Sequence, residues 1–161
     1  MPLPVWVLTE LLDFGGLSML YAGMKQKDRD SIAAELGLVD NSGAGNSGAL
    51  KDWMRNLNYV RNVCAHHARF WNVNIVDQVS PRHLKSVPEL AHITGAGRAT
   101  SRPYASLSVI ALLTKRIDAN DDWAARMRDL IDTELPAGRT PSELGFPQDW
   151  IQQSIWAKAC A

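Results

Sequence analysis

The sequence predicts an all-α fold, and three observations carry that prediction. Apolar residues recur at three- and four-residue spacing through most of the chain, no segment sustains strict alternation between hairpin turns, and prolines and glycines fall where helices would start and stop. At 161 residues the chain fits a single domain, 1–161, with room for a sizeable core.

The N-terminal stretch "MPLPVWVLTELLDFGGLSMLYAGM" places Leu8, Leu11, Leu12, Leu17, Leu20 and Tyr21 at helical spacing, with Gly15-Gly16 as a break or a close helix crossing. It reads as a buried pair of short helices or one kinked helix. Glu10 and Asp13 interrupt it, no basic segment precedes it, and no apolar run reaches membrane-spanning length, so neither a signal peptide nor a membrane partner is expected. Opening directly on such core-like sequence, without a polar leader, suggests that material is missing upstream. "KDRDSIAAELGL" next carries Ile32, Ala33 and Leu36 on one face, with Gly37 as its stop. "VDNSGAGNSGA" is too polar and glycine-rich for a core element and reads as a mobile linker loop.

From Ala49 to about Phe70 the pattern is a central helix whose apolar stripe is Leu50, Trp53, Leu57, Val60 and Cys64. Prolines 81, 88 and 103 and glycines 95 and 97 then allow only short helical turns, with "HITGAGRATSRP" as a surface loop. Helices return in "YASLSVIALLTKRI" and in "DDWAARMRDLIDTEL", where Trp123, Met127, Leu130 and Ile131 share a face. A last helix, "PQDWIQQSIWAKA", follows Pro147.

Charge is balanced, 17 basic against 17 acidic residues, so a nucleic-acid site would have to be local. The two cysteines, Cys64 and Cys160, are far apart and match no metal or redox spacing, which fits a reducing, cytoplasmic setting. The histidines likewise show no zinc spacing. No metal and no cofactor is expected.

The chemistry concentrates at the end of the central helix, in "RNVCAHHARFWN", Arg61 to Asn72. On a wheel of ~100° per residue, Arg55, Asn58, Asn62, His66 and Arg69 gather within about 40° of the pole opposite Trp53, with Arg61 on the flank and His67 on the core side. A solvated helix face is the plain alternative. Such faces are usually rich in Glu and Lys, however, whereas no acid lies between Asp52 and Asp77 here. Local positive charge of this kind suits a phosphate. An imidazole can move a proton near neutral pH and a guanidinium can bind phosphate oxygens in a fork, so the set could cleave a phosphodiester without metal. Asn62, four residues before His66, is placed to hold the imidazole or the substrate. Arg61 and His66 are ~140° apart on an ideal helix, and a two-fold dimer would bring two sets together.

"W..LNYVRNVCAHHARFWN" resembles the signature of the Abi (abortive infection, AbiD/AbiF-like) family, whose R-N-x-x-x-H element belongs to the HEPN superfamily of helical, dimeric, metal-independent ribonucleases. "PVWVLTELLDFGGLSMLYAGM" and "LGFPQDWIQQSIW" resemble two further blocks of that family, in the same order. The resemblance implies an HEPN-like bundle and a homodimer. It also implies an endoribonuclease of phage defence with Arg61 and His66 as the catalytic pair, Asn62 as their polar support, and Arg55, Asn58 and Arg69 as RNA contacts. RNA is then the substrate, and a neutralising antitoxin, protein or RNA, a further partner. The competing reading is a helical module that binds RNA or a protein through the same face without catalysis.

Overall fold

The computed structural model describes residues 5–40 and 42–157 and is built from helices, with no strand among the described residues. Helices α1 (Val5–Leu11) and α2 (Phe14–Gly23) divide at Leu12-Asp13 rather than at the glycine pair. Asp13 Oδ1 accepts the Gly16 N–H at 2.7 Å and caps α2, which puts Gly15 and Gly16 inside its first turn. There Gly15 does what a close crossing requires: a Cβ at that position would lie 3.1 Å from Asn58 Oδ1 on the long helix α4. The pair is not buried as expected. Trp6, Leu11 and Met19 are 65%, 73% and 78% exposed, and only Tyr21 of α2 is fully covered. A helix pair can be apolar on every side and still find a neighbour for only one of them. Leu8, on the predicted stripe, lies among the residues whose side chains are not described.

Helix α3 (Gln26–Glu35) ends as predicted at Gly37, which takes the left-handed conformation (φ 66°). Gly37 N–H bonds Ala34 C=O and Leu38 N–H bonds Ala33 C=O, the Schellman arrangement. The linker expectation for "VDNSGAGNSGA" is corrected. Within it, Asp40 Oδ1 accepts from Ser42 N–H, Ser42 O–H and Ala44 N–H, and Val39 and Gly45 form an isolated antiparallel bridge. Gly45 is pressed onto α3 so closely that a Cβ would fall 1.7 Å from the Asp30 carbonyl oxygen. Asn46 then caps α4, its Oδ1 taking Ala49 N–H at 3.1 Å while its Nδ2 donates to Ser86 Oγ at 2.8 Å. Glycine and asparagine here build a turn and a cap, which composition alone does not distinguish from a linker. Asn41 lies outside the described residues.

Helix α4 runs Ser47–Ala65 and packs against α2, α3, α5 (Pro81–Lys85) and α6 (Pro103–Ile117). Leu50, Trp53 and Val60 of the predicted stripe are buried and Leu57 is packed against the core. Two features break the simple pattern. Asn56 is fully buried and donates Nδ2 to the Asp77 carbonyl at 2.6 Å, pinning the segment that returns from the end of α4. Cys64, placed on the core stripe by its spacing, is exposed.

The most buried helix is α6, not α4, with a continuous covered run from Pro103 to Val109. Short 3-10 turns at Pro88–Gly95 and Ala99–Ser101 lead into it and bury Leu90, Ile93 and Ala99, so this region is less superficial than a surface loop. Helix α7 (Trp123–Glu134) buries Arg128 and Ile131, whereas Leu130, expected on the same face, is exposed. The predicted last helix is instead a 3-10 turn, Trp150–Gln152, after another at Pro141–Leu144. Its aromatics are still core: Phe146 stands 4.6 Å from Tyr104, and Trp156 packs between Tyr104 and Trp150, ring centroid to ring centroid. Residues 158–161, with Cys160, lie outside the described residues.

Candidate functional site

Helix α4 stops in the middle of the motif. His66 is its C-cap, and its N–H bonds the Asn62 carbonyl at 3.0 Å. His67 N–H returns to Cys64 C=O and Ala68 N–H to Val63 C=O, a second Schellman cap, with His67 left-handed at φ 53° in the position glycine usually fills. The expected continuation to Phe70 therefore fails. No glycine marked the end, so spacing alone carried the helix one turn too far. Positions assigned on the wheel beyond His66 lose their meaning: His67 is exposed rather than on the core side.

That segment is anchored beyond the motif. Trp71 Nε1 donates to Glu143 Oε2 at 2.7 Å, and the buried Arg102 guanidinium donates to both the carbonyl and the side-chain oxygen of Asn72. Asn72 is also left-handed (φ 54°), and Ile75 N–H bonds the Ser101 carbonyl. Residues 66–70 thus span a short bridge between the cap of α4 and a clamp supplied by Arg102 and Glu143. Neither Asn56 nor Arg102 was singled out from the sequence. A buried asparagine on a helix flank and an arginine beside proline give no periodic signal.

The predicted residues fall into two groups. Arg61, Asn62 and His66 lie in sequence on the last turns of α4, where Arg61 Nη1 donates to Asn62 Oδ1 at 2.9 Å and the His66 ring bonds to neither. Arg61, His66 and His67 are exposed, Asn62 is half-buried, and Arg69 is exposed on the bridge. Asn62 Oδ1 therefore accepts from the guanidinium, while its backbone carbonyl makes only the ordinary helical bond to the His66 N–H and its side chain makes no hydrogen bond to the imidazole. Among the described residues, none of Arg61, His66, His67 and Arg69 forms an ion pair. The positive groups offset the negative partial charge of the helix end and leave the local field open to an anion. Arg61 and His66 are separated by about 7.5 Å along the axis, from a rise of 1.5 Å per residue, and share no hydrogen bond.

Arg55 and Asn58 stand apart from this cluster. Arg55 Nη2 lies 3.2 Å from Asp52 Oδ1, and Asn58 is half-buried under the first turn of α2 beside Gly15. Asp52 is itself a junction, since its Oδ2 accepts Ser80 N–H at 2.7 Å and lies 3.2 Å from His83 Nδ1, angled away from a hydrogen bond. His83 is thereby held against the first turns of α4. No group of three metal-ligating side chains is gathered among the described residues, and no helix among them is long and apolar enough to cross a membrane.

The chain matches no curated protein and no solved structure. A family match does exist, to the family described as Abi-like protein, over residues 1–72. It takes in α1 to α4, the first two sequence blocks and the whole of "RNVCAHHARFWN", and ends where Arg102 clamps Asn72. The tail block "LGFPQDWIQQSIW" lies beyond it. Over residues 1–72, which carry the candidate site, the chain is similar to the Abi-like protein family.

Proposed function

We propose that this protein is a metal-independent endoribonuclease of a phage-defence system, of the HEPN type, in which His66 transfers a proton and Arg61 binds the scissile phosphate. The observation that carries this reading is the end of α4, where a guanidinium with an amide partner and an imidazole stand solvent-accessible with no carboxylate paired to either. In-line cleavage by the neighbouring 2'-hydroxyl needs a base to take its proton, an acid for the departing 5'-oxygen, and a cation on the phosphate. One imidazole supplies one of the two proton transfers. A second copy of the chain, related by a two-fold axis, supplies the other. Trp6, Leu11 and Met19 support such a dimer: they are exposed apolar side chains on α1 and α2, and α2 packs on α4. In this reading Arg69 and Arg55 steer the RNA backbone, and Asn58 supports the α2–α4 contact beside it.

The test is cleavage of mixed cellular RNA in excess EDTA by wild type, His66→Ala and Arg61→Ala, with the mass of each in solution measured by light scattering. Cleavage by a wild-type dimer, reduced at least a hundredfold in His66→Ala while RNA binding is kept, is the expected result. A folded wild-type dimer that binds RNA and leaves it intact points to the non-catalytic module.

A further inference from the structure

Away from the end of α4, a cleft of about 820 Å³ opens between α3, α5, the 40–46 turn and the first turn of α4. That size falls within the roughly 300–1,000 Å³ of small-molecule sites. Its wall carries Asp30 and Asp40 on one side and Arg82, His83 and Lys85 on the other. The two signs differ in how their side chains are held. Asp40 spends its Oδ1 on Ser42 N–H, Ser42 O–H and Ala44 N–H, and Asp30 accepts from Gln26 Nε2 at 2.7 Å. His83 Nδ1 lies 3.2 Å from Asp52 Oδ2 without a hydrogen bond. Arg82 and Lys85 are exposed, and among the described residues neither has a carboxylate within ion-pair distance. Formal charge across the cleft is balanced, and what sets Arg82 and Lys85 apart is that neither cation has a carboxylate partner, so both can turn to a ligand.

We propose that this cleft binds a phosphate group, with Arg82 and Lys85 as its cationic contacts. The cavity and the two uncommitted cations carry the assignment. The first turn of the 19-residue α4, bared to the cleft at Gly48, adds partial positive charge of the same sign. Gly48 and His66 are separated by about 27 Å of helix at 1.5 Å per residue, so the cleft is a site distinct from the Arg61–His66 end. Two sources could bring the phosphate: the backbone of an RNA strand that also reaches the end of α4, or a free nucleotide. The inference does not depend on cleavage.

The test uses two probes: ADP, followed by calorimetry, and a fluorescent 2'-O-methyl oligoribonucleotide of 12 residues, followed by anisotropy. The second lacks the 2'-hydroxyl nucleophile, so it stays intact whether or not the protein is a ribonuclease. Arg82→Gln/Lys85→Gln is compared with wild type and with the charge-matched control Lys115→Gln/Arg126→Gln on α6 and α7, folding being checked by thermal melts. The cleft variant should bind at least one probe tenfold or more weakly, with the control within twofold of wild type. Loss for the oligonucleotide, with a salt slope reduced by about 1.4 for two phosphate contacts, identifies a strand. Loss for ADP identifies a nucleotide. Failure of wild type to bind either probe, unchanged affinities in the cleft variant, or equal losses in the control each overturn the proposal. Lys85→Glu alone, at an exposed position, repeats the test should the double variant fold poorly.

Discussion

Replacing His67 with glycine should make the protein more stable. His67 closes the Schellman cap of α4 in the left-handed region, where an L residue bears about 1–2 kcal/mol of backbone strain. Glycine relieves that strain but gives back about 0.4–1 kcal/mol through the greater freedom of the unfolded chain. The net gain is about 1 kcal/mol. The His67 side chain is exposed and makes no hydrogen bond among the described residues, so little contact energy is lost with it. With an unfolding entropy of roughly 2.1 cal/mol/K per residue, 161 residues give about 0.34 kcal/mol/K, and Tm should rise by about 3 °C. His67→Val should move the other way by at least as much, because a branched Cβ fits the left-handed region worst. Thermal melts by circular dichroism at neutral pH decide the matter. Equal Tm values for wild type, His67→Gly and His67→Val would mean that the helix does not end at this cap. The proposed ribonuclease activity should survive in His67→Gly, since Arg61, Asn62 and His66 precede the substituted residue and keep their cap; its loss in a stabilised variant would give the imidazole itself a role.

Asn46→Ala removes both a helix cap and a bond to Ser86, about 1 kcal/mol each, and should lower Tm by about 6 °C; Asn46→Asp, which keeps the cap acceptor, should recover about half in the same melts. Arg102→Met removes both charged hydrogen bonds that the buried Nη1 donates to Asn72, about 1.5–3 kcal/mol each, a loss to be read by urea unfolding, and should slow the proposed cleavage through the loosened 66–72 bridge. Burial holds the His92 pKa below its ordinary value of 6.5, so the unfolded chain takes up its proton first as pH falls. Stability from this group is complete above pH 6.5 and is lost as pH drops from there toward the folded value. A melt series from pH 7.5 to 5 should show that decline, and His92→Gln should lessen it.

The helical class and the start of each main helix, within a few residues, were legible in the sequence, which also picked out Arg61, Asn62 and His66 as candidates. Period and cap chemistry are local properties, so Gly37 and the Leu50–Val60 stripe were legible without any neighbour. Tertiary structure decided what those helices meet. It left Trp6, Leu11 and Met19 uncovered, made a built turn of 39–46, and turned the tail from helix into aromatic core around Trp156. It also ended α4 at His66, because the chain must double back for Asn72 to reach Arg102 and Asp77 to reach Asn56. Those partners are about 20 or more residues apart in sequence, and no pattern of spacing encodes a bond whose two halves are brought together only by the packing of other elements.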